Sequence, residues 1–312
     1  MRARSEPFHD GYWYCYANST AMLLGTIGES VSPRLIEALS GVGLGAFQTP
    51  NGLPFFSGFA GLPDQGISAA LDMLGFTCVE TSSERPEPDP LEALSALLER
   101  SAAILGPLDM QHLTYNPLRP PFPGVDHFVL ALGMQGDRVR LHDPAGFAHA
   151  LIGGADLEAA WRADTIVYKR GHYRHWSQPR RVREVSQSDL RERALAFFRQ
   201  LYRQAQALAV QHEAKIDGAL IRDWAQIMAR NGFDPRQIGH LTRFALPLGA
   251  KRAMDYAAFF DPFLAELGGL KRAQAQEFGA CHSQVVAGDW RAASDTMLRL
   301  AEIEDRIGEA LR

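Results

Sequence analysis

Three side chains far apart in the chain, Cys15, His127 and Asp143, carry the residue types of covalent acyl chemistry. Cys15 stands at the start of a run of small and apolar residues at helical spacing, which reaches about Ile27 and ends near Gly28. A thiol at a helix N-terminus faces the positive end of the helix dipole, which favours the thiolate, the nucleophilic form. The neighbours Ala17, Ser19 and Ala21 are small and suit a buried helix. A cysteine in such a run is, taken alone, more often a packed core thiol. His127 and Asp143 change that balance.

Residues 128–132 and 138–142 read as two strands joined through Gly133-Met134-Gln135-Gly136-Asp137, a hairpin signal. With the turn centred on Gln135, Leu132 faces Arg138, Leu130 faces Arg140, Phe128 faces His142, and His127 faces Asp143. Directly opposed side chains lie about 4.5–5.5 Å apart at Cβ. The Asp143 carboxylate is then expected to accept the Nδ1–H of His127. That fixes the tautomer and leaves Nε2 free to take a proton from the thiol.

Positioning these groups falls to a first half that mixes helix and strand signals. Ser32-Pro33 offers an N-cap and a first-position proline for a helix that Gly41 closes. Residues 41–63, rich in Gly, Pro and Phe, read as a loop. Asp64 opens a helix to Gly75, residues 76–81 a strand, Asp89-Pro90 a helix to about Arg100, and residues 102–108 a strand. Residues 109–126 form a proline-rich loop, the kind of long connection that is often functional. Asp156 is expected to cap a short helix to Arg162, followed by a strand over 165–168. Residues 169–183 hold six basic side chains and no acidic one, and read as an interdomain linker. Helices are expected over 188–213, 217–230, 234–246, 250–267, 270–287 and 289–311. The fold class is therefore α+β, with domains at 1–178 and 179–312.

Composition agrees with two globular domains. The chain has 312 residues, of which 46% are apolar and 22% charged, which excludes a disordered chain, a coiled coil or a fibre. No apolar run approaches the roughly 18 residues of a membrane span, so no membrane partner is expected. The first residues show no signal-peptide pattern. The three cysteines, Cys15, Cys78 and Cys281, form no C-x-x-C, which argues against a disulfide framework or a zinc site and fits a cytoplasmic setting. Net charge is −4 overall but −10 over residues 1–161 and +7 over 162–203. A short basic belt on an acidic chain is poor evidence for nucleic acid.

The stretch Asp126-His127-Phe128-Val129-Leu130 … Val139-Arg140-Leu141-His142-Asp143-Pro144-Ala145-Gly146, with the Trp161 helix behind it, resembles the C39-like peptidase pattern of the papain-like fold. More narrowly, the chain resembles the butirosin biosynthesis (BtrH) acyltransferase family. That likeness rests on Cys15 with its small-residue helix, on Gly41-x-Gly43-x-Gly45-x-Phe47, and on Gly106-Pro107-Leu108-Asp109 with Leu113 and Tyr115. The segment from Arg252 to Leu264 and the Trp290 helix carry a weaker likeness in the helical half. The resemblance implies a papain-like N-terminal domain, with Cys15 as nucleophile, His127 as base and later acid, and Asp143 as its orienter. It further implies transfer of an acyl group from a carrier-protein thioester on phosphopantetheine to an amine, with no bound cofactor or metal. Where papain-like enzymes place a glutamine six residues before the nucleophile, this chain has His9. His9 or Asn18 is then the expected second oxyanion donor, beside the backbone N–H of Cys15.

Other groups have an ordinary reading beside a functional one. Asp109, His112 and Tyr115 either make local loop hydrogen bonds or wall an acceptor pocket, where Asp109 would pair with a substrate amine. The basic stretch is either a solvated linker or a dock for an acidic acyl carrier protein, centred on Arg180 and Arg181. Cys281-His282 are adjacent on a helix and point apart. The apolar faces of the helical half are core by default and otherwise a homodimer face or part of an acyl tunnel. Gly41-Val42-Gly43-Leu44-Gly45 lacks the spacing of a dinucleotide site. Three functions stay open at this level: an acyltransferase, a cysteine peptidase or amidase on the same triad, and a non-catalytic binding protein.

Overall fold

The computed structural model describes residues 5–86, 89–230 and 233–311. Residues 1–4, on which the signal-peptide expectation partly rested, lie outside them. The helices are α1 (Cys15–Gly25), α2 (Pro33–Ser40), α3 (Pro63–Met73), α4 (Pro90–Leu98), α5 (Gly154–Arg162), α6 (Gln187–Gln211), α7 (Asp217–Arg230), α8 (Pro235–His240), α9 (Leu246–Phe260), α10 (Ala265–Ala287) and α11 (Trp290–Leu311). The strands are β1 (Phe47–Gln48), β2 (Pro54–Phe55), β3 (Phe76–Ser83), β4 (Ala103–Asp109), β5 (Asp126–Gln135), β6 (Arg138–Asp143), β7 (Phe147–Gly153) and β8 (His172–Arg181). The class is α+β, as the sequence implies.

The chain forms two compact units. One comprises residues up to Ile36 together with Pro63–Val185, the other Glu37–Leu62 together with Ser186–Arg312. This division corrects the one expected at 178/179, for two reasons. The expected boundary cuts β8, an inner strand hydrogen-bonded to both β3 and β4. The segment 37–62 is tied to the helical unit by long-range bonds: Ala46 N–H donates to Asp217 Oδ1 (3.1 Å), and Arg252 pairs with Glu37 (2.7 Å) and donates to Ser57 (2.6 Å).

In the first unit an antiparallel sheet runs in the order β3-β8-β4-β5-β6-β7. Strand β5 shows why both faces are covered. Phe128 meets Tyr16 of α1 ring to ring, and Ser19 of α1 donates to the Phe128 carbonyl (3.2 Å). Val129 and Ala131, pointing the other way, share a core with Leu94 and Leu98 of α4 and Leu157 and Trp161 of α5. Helix α1 is buried from Tyr16 to Leu24. Its polar side chains are satisfied inside: Thr20 bonds the Tyr16 carbonyl, and Ser19 bonds the strand. Gly106 lies in a register shift of β4, where a Cβ would collide with the Phe128 ring.

The supposed linker is β8. Of its arginines, Arg174 is buried and pairs with Glu80, whereas Arg180 and Arg181 lie exposed at the strand's end; the neighbouring Arg170 pairs with Asp64 (2.7 Å). The strand expected over 165–168 is turn. In the second unit α7, α9, α10 and α11 enclose Trp224, Phe278, Leu246 and Leu300. Phe56, from the segment 37–62, inserts edge-on against Trp224 (5.4 Å) and Phe278 (4.5 Å).

Candidate active site

Cys15 is the first residue of α1 and follows a tight turn over Tyr12–Tyr14. Three bonds set that helix start. Asn18 donates its amide to Gly11 O (3.0 Å) and Tyr14 O (2.9 Å), and Gly11 N–H donates to Pro144 O (2.9 Å). Gly11 is required there, because a Cβ would overlap the Asn18 amide. The last bond fastens the approach to Cys15 onto the turn that follows Asp143. Cys15 itself is half-buried.

His127 opens β5 and Asp143 ends β6. The pairing differs from the one expected. Gln135 pairs with Arg138 across a two-residue turn, Gly136-Asp137, and a further shift between Ala131 and Gly133 places Leu130 opposite His142. Gly136 has φ +64°, the left-handed conformation that such short hairpin turns need. His127 and Asp143 are therefore not directly opposed, yet their side chains meet. His127 Nε2 lies 2.6 Å from Asp143 Oδ1. The ring orientation is the reverse of the expected one: Nε2 is taken by Asp143, which leaves Nδ1 for the thiol. Cys15 lies near enough to the imidazole to raise its pKa.

Both partners are buried, His127 at 2% and Asp143 at 0% exposure, so their charges depend on each other. Burial pulls the His127 pKa down, but the Asp143 carboxylate, with a smaller contribution from Cys15, raises it well above 6.5. Burial pushes Asp143 up, and the His127 charge and hydrogen bond, the Ala145 N–H and the Tyr115 phenol together hold it below 3.8. Burial pushes the other two thiols, Cys78 and Cys281, to about 12.

The remaining expected site residues take other roles. The Asn18 amide is spent on Gly11 and Tyr14 and is not an oxyanion donor. His9 is half-buried, with its pKa lowered by burial, and among the described residues no hydrogen bond joins it to the triad. Asp109 is buried. Its oxygens accept from Gln111 N–H (3.0 Å), Gly124 N–H (3.2 Å) and Thr165, which fastens the proline-rich loop. The Tyr115 phenol is committed to the triad, donating to Asp143 Oδ2 (2.8 Å). Arg181 is clasped by Glu29 (2.5 Å), whereas Arg180 is exposed. Sequence reasoning missed Tyr168, whose phenol donates to Asp126 Oδ2 (2.7 Å) near enough to Cys15 to feel its charge. No motif marked it.

Fold and site define an α+β protein with a Cys–His–Asp constellation set between a helix N-terminus and an antiparallel sheet. Residues 211–312 match the YobF C-terminal domain family. Over 294 residues the chain is 38% identical to YobF of Bacillus subtilis (strain 168), described as uncharacterized, and covers 94% of each chain. The chain belongs to the YobF family. Among solved structures it is similar to a Bacillus anthracis protein assigned as a C39-like peptidase, with 16% identity and a TM-score of 0.39, over 57% of this chain and 96% of that one. Among the described residues no helix is long and apolar enough to cross a membrane.

Proposed function

We propose that the chain is a cysteine acyl-transfer enzyme, which moves an acyl group from a pantetheine-type thioester through Cys15 to an amine. The observation that carries this reading is the buried His127–Asp143 bond at 2.6 Å, with the second ring nitrogen left for Cys15. In the first half-reaction His127 Nδ1 takes the thiol proton, and Sγ attacks the thioester carbonyl carbon. The carbon–sulfur bond of the donor breaks, and His127 returns the proton to the departing thiol. In the second half-reaction an amine attacks the acyl-Cys15 carbonyl, His127 takes the amine proton, and the amide leaves as Cys15 regains its proton. Asp143 balances the imidazolium in both. The backbone N–H of Cys15, at the start of α1, serves the oxyanion, and no capping side chain competes for that end of the helix. The thioester donor and amine acceptor follow from the likeness to butirosin-type acyltransferases.

The test uses acyl-pantetheine thioesters with wild-type protein and Cys15→Ser. Intact mass should show one acyl adduct on the wild type and none on the variant. Amines added in a chase should speed its loss and appear as amides. An adduct lost to water at the same rate with or without amine assigns a hydrolase on the same residues. No adduct from any thioester, peptide or amide donor overturns the enzymatic reading.

A further inference from the structure

We propose that Tyr115 is a positioning residue of the triad: its phenol keeps Asp143 ionised and oriented, so that His127 can act on Cys15. This rests on the cysteine acyl-transfer reading. Asp143 Oδ1 accepts from His127 and from Ala145 N–H (2.7 Å), whereas Oδ2 accepts from Tyr115 (2.8 Å). Asp143 has no exposure to water, so solvent cannot replace a lost donor. A buried carboxylate deprived of a donor takes up a proton more readily, and a neutral Asp143 no longer balances an imidazolium.

The surrounding chain is arranged to deliver this one hydroxyl. Asp109 ties both ends of the proline-rich loop, through Gln111 N–H and Gly124 N–H. Thr114 donates to Asp156 (2.8 Å), and buried Asn116 accepts from Leu118 N–H (2.8 Å), so the residues on either side of Tyr115 are fixed. The Tyr115 ring stands edge-on to Phe147 (5.7 Å), at the start of the strand that follows the Asp143 turn. Burial and the nearby Asp143 charge push the phenol well above its ordinary pKa, so it remains a donor throughout the working range.

Tyr115→Phe keeps the ring and its contact with Phe147 and removes only the O–H. The experiment measures the rate of Cys15 alkylation by iodoacetamide from about pH 5 to pH 9 in wild type, Tyr115→Phe and His127→Ala. Loss of one hydrogen bond to a charged group should move the acid limb of the variant up by about one to two pH units, with little change on the alkaline side. A second protein carries 3-fluorotyrosine at 115, a more acidic phenol and a stronger donor, and its acid limb should move down. The NMR resonance of the His127 Nε2 proton should move in both, which a role in packing alone would not produce. Profiles and resonances that superimpose on wild type overturn the proposal. A wild-type profile that matches His127→Ala overturns the acyl-transfer reading instead, so the two failures are distinct.

Discussion

His127 reaches Asp143 through Nε2, not Nδ1, at 2.6 Å. The choice of nitrogen decides which ring edge is catalytic, because the atom left over is the one that can serve Cys15. It also makes the pair a unit. His127→Ala and Asp143→Asn should each lower acyl transfer, or Cys15 alkylation near neutral pH, by about 10²–10⁴-fold. The double variant should be little worse than His127→Ala alone. Additive losses would mean that the two residues act independently.

The same pair sets a pH dependence of stability with two signs. His127 has a folded pKa above its unfolded value of 6.5, so its contribution is complete below about that pH and is lost as pH rises through the folded pKa. Asp143 has a folded pKa below its unfolded value of 3.8, so its contribution is present above that and is lost as pH falls through the folded pKa. Thermal melts of wild type against His127→Gln should converge toward alkaline pH as the first contribution disappears. A constant gap across the range would show that His127 acts by packing.

Thiol labelling gives a selective assay. With Cys78 and Cys281 at about 12, their thiolate fraction at pH 8 is about 10⁻⁴, so alkylation should mark Cys15 first in folded protein. Mass mapping checks this, and equal labelling of all three would contradict the raised pKa of the other two, of which Cys281 is buried and Cys78 half-buried.

How far the site was legible depends on the range of the interactions that build it. Cys15 at a helix start and His127 and Asp143 on neighbouring strands follow from local pattern, and the structure brings them together. The ring orientation was not legible, because a two-residue turn at Gly136-Asp137 and a further shift replace the five-residue turn that the glycines suggest. Strand β8 was missed for an electrostatic reason. Arg174 reads as solvated until Glu80, distant in sequence, is seen to neutralise it. Likewise the segment 37–62 joins the helical unit through Asp217 and Arg252, and no local pattern records those partners.

Asn18 is predicted to act on the nucleophile by shaping the backbone before it. Asn18→Ala removes a buried bond to Tyr14 O and a partly buried one to Gly11 O, which keeps the Tyr14 N–H as a donor. The cost should be about 1–3 kcal/mol of stability. Slower Cys15 alkylation is expected in the protein that remains folded. Unchanged stability and reactivity would assign the helix start to the Gly11–Pro144 bond alone.

Buried charge holds the helical unit together at one point. Glu37 is fully buried and Arg252 is 6% exposed, and their 2.7 Å pair is extended by Ser57. Removing one partner strands the other charge in a low-dielectric interior, which typically costs about 3–5 kcal/mol. Glu37→Ala should therefore unfold at markedly lower denaturant than wild type. Glu37→Leu combined with Arg252→Met removes both charges and keeps the volume, so it should recover most of that loss. A double variant as unstable as Glu37→Ala would show that the bonds from Arg252 to Ser57 and the Phe56 carbonyl, rather than the ion pair, hold the segment 37–62 in place.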